Sequence, residues 1–184
     1  MAVRKEHRYT YEEWRELDLG ENTRSELIGG QIYLMSAPAT RHQVVLGEMF
    51  RQLSNYLRGK RCKPYLGLDV RLEDDTVVVP DLVVVCDPQK IYKAGCTGAP
   101  DLVVEILSPS TARHDKYVKF MLYLQAGVPE YWVVDPVDNA ITAFRLDENK
   151  YTATVFTSTA TINALPGFEM DLAEVFAEED LQDI

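Results

Sequence analysis

The stretch PDLVVEILSPSTARHDKYVKFMLYLQAGVPEYWVVD, residues 100–135, decides the fold because two apolar segments flank a helical one. PDLVVEIL and EYWVVD are continuously apolar over most of their length, which is typical of strands with two buried faces. Ser110 or Thr111 can cap the helix between them, and Gly127 is placed to end it. Such a strand-helix-strand unit predicts two parallel strands in one sheet, with the helix packed on that sheet.

Apolar patterning predicts further elements on both sides of this unit. Upstream, YLGLDVRL and TVVVPDLVVV each read as one strand, SELIGGQIYLM reads as a hairpin around Gly29 and Gly30, and YTYEEWREL reads as a short helix with a capping box. A long helix is predicted from about Ala39 to Leu57, where apolar residues recur at helical spacing. Downstream, ITAFRL and YTATVF predict two strands, and DLAEVF predicts a short helix.

This order of elements predicts an α/β protein with a mixed β-sheet flanked by helices. A chain of 184 residues can bury one sizeable core but is short for two domains. Hydrophobic residues make up 46% and charged residues 26%, the balance of a soluble globular protein. We therefore expect a single domain over residues 1–184, with an ordered core at about 9–176.

The sequence shows no sign of export or membrane insertion. Its N-terminus lacks an apolar signal core, and no segment approaches the roughly 20 apolar residues that cross a bilayer. We therefore predict a cytoplasmic location and no membrane partner. Cys62, Cys86 and Cys96 are an odd number without the close pairing of a zinc site, so we expect three reduced thiols.

The formal net charge of -10 argues against general nucleic-acid binding, because a polyanion is attracted by basic surfaces. Two local clusters are exceptions: RGKRCK, residues 58–63, and ARHDKYVK, residues 112–119. Clusters of this kind are more often solvated helix ends than binding patches, and the sequence leaves both interpretations open.

Two acids interrupt strands whose other residues favour a dry interior. Asp81 lies in VVVPDLVVV and Glu105 lies in DLVVEIL. A buried charge without a partner costs several kcal/mol, so each carboxylate must be paired, protonated or bound to a cation. Two adjacent strands with one carboxylate each can bind Mg²⁺, with water and a substrate phosphate as its remaining ligands. The pair thus indicates phosphoryl chemistry.

A structural interpretation of these acids is equally compatible with their spacing. Pro80 can mark a loop or sheet edge that leaves Asp81 solvated, and Glu105 can form a salt bridge with a lysine. The helix after the Glu105 strand can bring Lys119, or less readily Lys116, over the carboxylates. Alternatively, Asp115 and Lys119 form an ordinary surface pair of about 0.3 kcal/mol.

Several motifs together resemble a known bacterial family. PDLVVVCD, the stretch from PDLVVEIL to EYWVVDP, LPGFEMDLAEVF and the N-terminal SELIGGQIYLMSAPATRHQ are similar to the Uma-two family of restriction-endonuclease-like proteins. The resemblance spans roughly Tyr9 to Phe176, and the ordered series is more specific than any single motif. It implies the PD-(D/E)XK nuclease superfamily and its restriction-endonuclease-like fold, a mixed β-sheet flanked by helices.

The resemblance implies roles for the acids, and the sequence departs from the usual superfamily pattern at one position. Asp81 and Glu105 become ligands of Mg²⁺, for which Mn²⁺ can substitute, and the backbone carbonyl of Ile106 becomes a further ligand. The usual Glu-x-Lys pattern would place lysine at position 107, where this sequence has leucine. Related families recover the lysine from the following helix, where Lys119 is the matching residue.

Two further residues of the N-terminal signature become candidates by the same resemblance. Glu26 matches an acid that contacts the metal or its water, although a lone glutamate near a turn is ordinarily a surface residue. His42 can meet a substrate phosphate, with Lys116 as a second substrate contact, although a lone histidine is more often structural. Tyr123 and Trp132 are better explained as core aromatics.

These inferences predict a metal-dependent endonuclease that hydrolyses phosphodiester bonds in nucleic acid, with DNA as the favoured substrate. Asp81, Glu105, Lys119 and Glu26 are the predicted catalytic residues. The alternative is a non-catalytic interaction or DNA-recognition module that retains the nuclease fold; the acidic composition and the missing Glu-x-Lys favour it. A homodimer is plausible because many nucleases cut two strands.

Overall fold

A computed structural model describes residues 7–20, 23–108 and 114–177, with residues 114–116 described by their backbone alone. The helices are α1 Tyr11–Arg15, α2 Thr40–Leu57, α3 His114–Gln125 and α4 Leu172–Val175. The strands are β1 Ser25–Ile28, β2 Gln31–Leu34, β3 Lys63–Leu66, β4 Val70–Glu73, β5 Thr76–Val78, β6 Leu82–Val85, β7 Ile91–Tyr92, β8 Gly95–Thr97, β9 Leu102–Ile106, β10 Glu130–Asp135, β11 Ala140–Asp147, β12 Lys150–Phe156, β13 Thr159–Thr161 and β14 Glu169–Asp171. Among the described helices, none has the length and apolar character needed to span a bilayer.

The predicted mixed sheet is the centre of the fold. Its strand order is β12-β11-β10-β9-β6-β3. Strands β9 and β10 are parallel, as the strand-helix-strand pattern predicts, and the other neighbours are antiparallel. Helix α3 connects β9 to β10 and packs on this sheet through Phe120 and Tyr123. The α/β class with helices flanking a mixed sheet is confirmed.

A second six-stranded sheet, β2-β1-β5-β4-β8-β7, was not predicted. It arises because two stretches that read as single strands are each divided between the sheets. Residues 65–72 divide near Gly67, whose φ of +50° suits glycine. Residues 76–85 divide at Pro80, which has no N–H to continue a ladder. The single-strand interpretation of both stretches is therefore wrong.

Two apolar layers cover the faces of the central sheet. Helix α2 packs on one face through Val45, Met49 and Leu53. On the other face, the second sheet and α3 enclose a separate cluster that includes Val78 and Tyr123. At about 25 cal/mol per Å² of buried apolar surface, these layers supply the main stabilisation of the fold. Polar groups at the end of the second layer form the candidate site.

Local signals in the sequence are confirmed where their chemistry is specific. The Thr10 hydroxyl accepts a hydrogen bond from the Glu13 amide, and the Glu13 carboxylate accepts one from the Thr10 amide, completing the capping box of α1. Gly29 and Gly30 both have positive φ in the β1–β2 turn. The predicted cap of α3 at Ser110 or Thr111 lies outside the described residues. The basic cluster of residues 112–119 lies partly outside them.

The expectation of three reduced thiols is wrong for two of them. Cys62 and Cys86 form a disulfide, with their Cα atoms 3.8 Å apart. The register of β3 and β6 places Lys63 opposite Val85, so the next residues along the pair are these two cysteines. Their 24-residue separation conceals this proximity in the sequence. Cys96 is a free, buried thiol, as expected.

Candidate active site

Three acids meet where the two sheets face each other. Strand β6 is antiparallel to β9 with Leu82 opposite Val104, so the next step along the pair places Asp81 opposite Glu105. Residues opposite each other across an antiparallel pair share a face, about 5 Å apart at Cβ. Glu26, on β1 of the second sheet, joins them through a shared cation described below.

Asp81 is fixed through one of its two carboxylate oxygens. Its Oδ2 accepts a hydrogen bond of 2.7 Å from the backbone N–H of Ile106 and lies 3.1 Å from Nε2 of His42. His42 lies in the first turn of α2 and is buried, so the helix approaches the acid from the opposite side of the central sheet. Asp81 therefore connects α2 to the end of β9.

Glu105 is bound by two donors from α3. Lys119 Nζ and the Tyr123 hydroxyl donate to the same oxygen, Oε1, at 2.9 Å and 2.7 Å. Lys119 and Tyr123 are four residues apart, so they lie on the same face of the helix. The prediction that this helix places Lys119 over the carboxylates is confirmed, because Lys119 pairs with Glu105.

Glu26 is buried, and one of its two carboxylate oxygens makes both of its contacts. Its Oε1 accepts from the backbone N–H of Val79 at 2.8 Å and lies 2.9 Å from Lys119 Nζ. The Lys119 ammonium therefore bridges Glu26 of the second sheet and Glu105 of the central sheet. A routine surface role for Glu26, which its position near a turn allows, does not match this burial.

In each of the three carboxylates, one oxygen accepts the hydrogen bonds. Each places one oxygen against the protein donors named above. Within residues 7–20, 23–108 and 114–177, the second oxygen of each accepts no hydrogen bond. Because a buried or half-buried carboxylate oxygen is costly without a partner, these oxygens are suited to a cation or to water.

Burial and neighbouring charge shift the protonation of the site. Burial raises the pKa of Glu105, and the charges of Asp81 and Glu26 add to it, against the opposing effects of Lys119 and Tyr123. Burial alone would lower the pKa of Lys119, but the charges of Glu105 and Glu26 outweigh it and raise that pKa. The hydrogen bond with Asp81 raises the pKa of His42 despite its burial.

The donor set fits a partly hydrated Mg²⁺ and not a cage of side chains. Within the described chain, no three His, Cys, Asp or Glu side chains are grouped to hold a metal ion. Mg²⁺, however, usually takes one or two carboxylates and retains several waters. The second oxygens of Asp81 and Glu105 offer the two carboxylate donors that such a hydrated ion would need. The Ile106 carbonyl as a further ligand stays a prediction.

Most of the predicted site residues lie together, and others were missed. His42 bonds with Asp81, and Lys119 bonds with Glu26 and Glu105; the two groups meet where Asp81 lies opposite Glu105. The side chains of Lys116 and Asp115 lie outside the described residues. Sequence reasoning treated Tyr123 only as a core aromatic. It is fully buried, but its hydroxyl also binds Glu105. Its position four residues after Lys119 was the available signal.

Comparisons with known proteins show which family the sequence resembles. The sequence profile of the Uma2 family, described as "Putative restriction endonuclease", matches residues 9–173. The uncharacterized protein slr1290 of Synechocystis sp. is 32% identical over 116 residues, which cover 61% of this chain and 60% of that protein. The chain thus matches about three fifths of the length of this relative.

A solved structure shows the same fold. The crystal structure of "a putative nuclease belonging to DUF820" from Anabaena variabilis matches with a TM-score of 0.76. The match covers 91% of this chain and 97% of that one at 21% sequence identity. At this identity the likeness concerns the fold alone, and it confirms the predicted nuclease-like α/β architecture.

Proposed function

Because the chain belongs to the Uma2 family, described as "Putative restriction endonuclease", we propose that it is a metal-dependent endonuclease that hydrolyses phosphodiester bonds in DNA. One observation carries the proposal: Asp81 and Glu105 face each other across β6 and β9, each with one oxygen that accepts no hydrogen bond from the described residues. Phosphoryl transfer depends on positioning and on compensating negative charge, and such a pair supports both through a divalent cation.

Asp81 and Glu105 would bind Mg²⁺, or Mn²⁺ in its place. The bound ion would polarise the phosphate and lower the pKa of an attacking water. His42 and the Ile106 amide hold Asp81 Oδ2, so the other oxygen of this carboxylate would be left to bind a cation. Tyr123 does the same for Glu105. These donors fix both carboxylates before substrate arrives, so little reorganisation is needed during the reaction.

Lys119 would supply positive charge beside the reacting phosphate. Its raised pKa keeps it protonated at neutral pH. The ammonium can therefore orient the attacking water or stabilise the negative charge that develops on the phosphate oxygens. Glu26 shares the same ammonium and limits the positions it can take. In this proposal Glu26 positions Lys119 and belongs to the outer part of the site.

Cleavage assays test the proposal directly. Labelled single-stranded, double-stranded and branched DNA, and RNA, are incubated with wild-type protein and Mg²⁺ or Mn²⁺. Asp81→Ala should abolish cleavage. Asp101→Ala is the matched control, because Asp101 also accepts a backbone N–H, from Cys86, but lies beside the opposite end of β9. Full cleavage by Asp81→Ala, or cleavage of RNA alone, contradicts the proposal.

A non-catalytic interaction module is the second candidate. It is favoured by the pairing of Lys119 with two acids, which is what a structural ion-pair network would show. Thermal unfolding with and without Mg²⁺ or Mn²⁺ separates the two candidates. A cation that binds only the folded state stabilises it by about 2.7 kcal/mol at 100 times its Kd. The enzyme predicts a shift that Asp81→Ala removes, and the module predicts none.

A further inference from the structure

Positive charge is concentrated in one continuous part of an acidic chain. Residues 40–63 carry six lysines and arginines and one acid, a formal net charge of +5, whereas the whole chain has -10. The other 160 residues therefore have a formal net charge of -15. This segment comprises α2, which packs on one face of the central sheet, and the start of β3, the edge strand of that sheet. The net charge of the whole chain therefore does not describe the local charge of residues 40–63, which a polyanion can approach.

Four of these six cations project into solvent. We call Arg58, Lys60, Arg61 and Lys63 the distal basic patch; all four are exposed. The Lys60 ammonium lies 3.0 Å from the centre of the Tyr56 ring, and Arg61 lies 3.9 Å from Asp87. A charge pair at that distance between exposed groups is weak.

The other two cations of the segment are engaged within the protein. Arg41 donates to the backbone carbonyls of Phe176 and Ala177. Arg51 pairs with the carboxylates of Glu48 and Glu174. The distal basic patch therefore differs from them in having its positive charge available to a ligand.

Two elements connect the distal basic patch to the acids. His42, in the first turn of helix α2, lies beside Asp81, and the helix ends directly before Arg58, which is about 24 Å further along at 1.5 Å per residue. Strand β6 follows Asp81 and ends at Val85 opposite Lys63, about 15 Å away. The patch thus lies one element length from the site.

The surface between the two is suited to a polyanion. Gln43, Gly47, Arg51 and Asn55 recur every fourth residue along α2, and all four are exposed. This row contains no acid. A strand that leaves the site along α2 would follow this row to the distal basic patch, and the acids beside it, Glu48 and Glu174, are paired with Arg51.

We propose that the distal basic patch binds the phosphate backbone of the nucleic acid that is cut at Asp81 and Glu105. The inference rests on the proposed function and extends it, because it defines the substrate as a strand long enough to span both places. At 3.4 Å per base pair, 15 to 24 Å corresponds to about four to seven base pairs from the cleaved bond. Shorter substrates would lose these contacts.

Binding can be measured separately from cleavage. The anisotropy of a labelled 20-base-pair duplex is titrated with Asp81→Ala protein in EDTA at several salt concentrations. The variant Lys60→Gln/Lys63→Gln is compared with Lys93→Gln/Lys150→Gln, which removes two exposed lysines elsewhere. Two lost phosphate contacts should reduce the slope of log K against log salt by about 1.8. The control should leave it unchanged.

The outcomes separate the two proposals. A slope reduced only by Lys60→Gln/Lys63→Gln supports the distal basic patch, even if the wild-type protein cleaves nothing and the proposed function fails. Equal slopes for the two variants, or no duplex binding at all, overturn it, even if cleavage is observed. With active wild-type protein, KM should rise when the duplex is shortened to three base pairs beyond the cut, with a smaller effect on kcat.

Discussion

Glu26 and Glu105 share one ammonium group, since Lys119 Nζ lies 2.9 Å from a carboxylate oxygen of each. The two acids belong to different sheets, and the lysine belongs to the helix between two strands of one of them. A single cation therefore neutralises charge on both sides of the interface between the sheets. Because all three side chains are largely buried, the loss of any one partner would leave an uncompensated charge in the interior.

Removing Lys119 should destabilise the protein strongly. Lys119→Met keeps an unbranched apolar stem but leaves two buried carboxylates without their shared cation. Breaking a buried ion pair from one side costs about 3–5 kcal/mol. Urea unfolding should show this loss for Lys119→Met, and Lys119→Met/Glu26→Gln should recover part of it. A change below about 1 kcal/mol in the single variant would mean that the acids are already neutral or solvated.

Tyr123→Phe should weaken both folding and metal binding. The change removes only the hydroxyl that donates to Glu105, at 2.7 Å. A hydrogen bond to a charged group contributes about 1.5–3 kcal/mol. Loss of this donor should also raise the pKa of Glu105 further and so lower Mg²⁺ affinity near neutral pH.

Tyr151→Phe is the matched control for this prediction. Its hydroxyl donates at 2.8 Å to the backbone carbonyl of Val128, away from the acids. It should cost about 0.5–1.5 kcal/mol without changing Mg²⁺ affinity. Calorimetric Mg²⁺ titration and urea unfolding measure the two quantities. Equal Mg²⁺ affinities in both variants would show that Tyr123 serves packing alone.

His42 should titrate above the ordinary histidine value of about 6.5. The hydrogen bond with Asp81 is the main cause of its raised pKa. A histidine whose pKa is raised by folding contributes stability that is fully present below about pH 6.5 and is lost as pH rises through the folded pKa. The stability difference between wild type and His42→Gln should therefore be larger at about pH 6 than at about pH 9.

Proton NMR of the histidine ring checks the same point. Asp81→Asn should lower the pKa of His42 because it removes the negative charge, whereas Asp101→Asn should not. A His42 pKa at or below about 6.5 in the wild type would contradict the prediction.

The cysteines should differ in reactivity and in their effect on stability. Burial raises the pKa of Cys96 to about 11, and Cys62 and Cys86 are joined. Native protein without reductant should therefore give no reaction with a thiol reagent, and unfolded protein should give one thiol per chain. Reduction, or Cys62→Ser/Cys86→Ser, should lower the free energy of unfolding by about 3 kcal/mol. Three reactive thiols in the unfolded, unreduced chain would exclude the disulfide.

The sequence was sufficient for elements with local signals. The strand-helix-strand unit, the capping box at Thr10 and the Gly29–Gly30 turn follow from patterns within a few residues of each other. The helix after Glu105 could also be expected to return over the acids, because its start lies close to the end of that strand. The position of Lys119 followed from this connection.

The second sheet and the disulfide could not be predicted in the same way. TVVVPDLVVV is equally apolar on both sides of Pro80, and only tertiary packing assigns its halves to different sheets. Cys62 and Cys86 meet through the register of β3 with β6, which no local pattern specifies. The large apolar ring of Tyr123 predicts a core residue. Its hydroxyl is the one polar atom of the side chain, and its hydrogen bond with Glu105 depends on a tertiary contact.

Two of the donors to these acids are backbone amides rather than side chains. Val79 N–H binds Glu26, and Ile106 N–H binds Asp81. No substitution of a side chain can delete such a donor except exchange to proline. Each amide proton is also an internal indicator, because its magnetic environment follows the ionisation of the carboxylate it contacts. The protein thus reports the charge state of two of its three acids without any label attached to it.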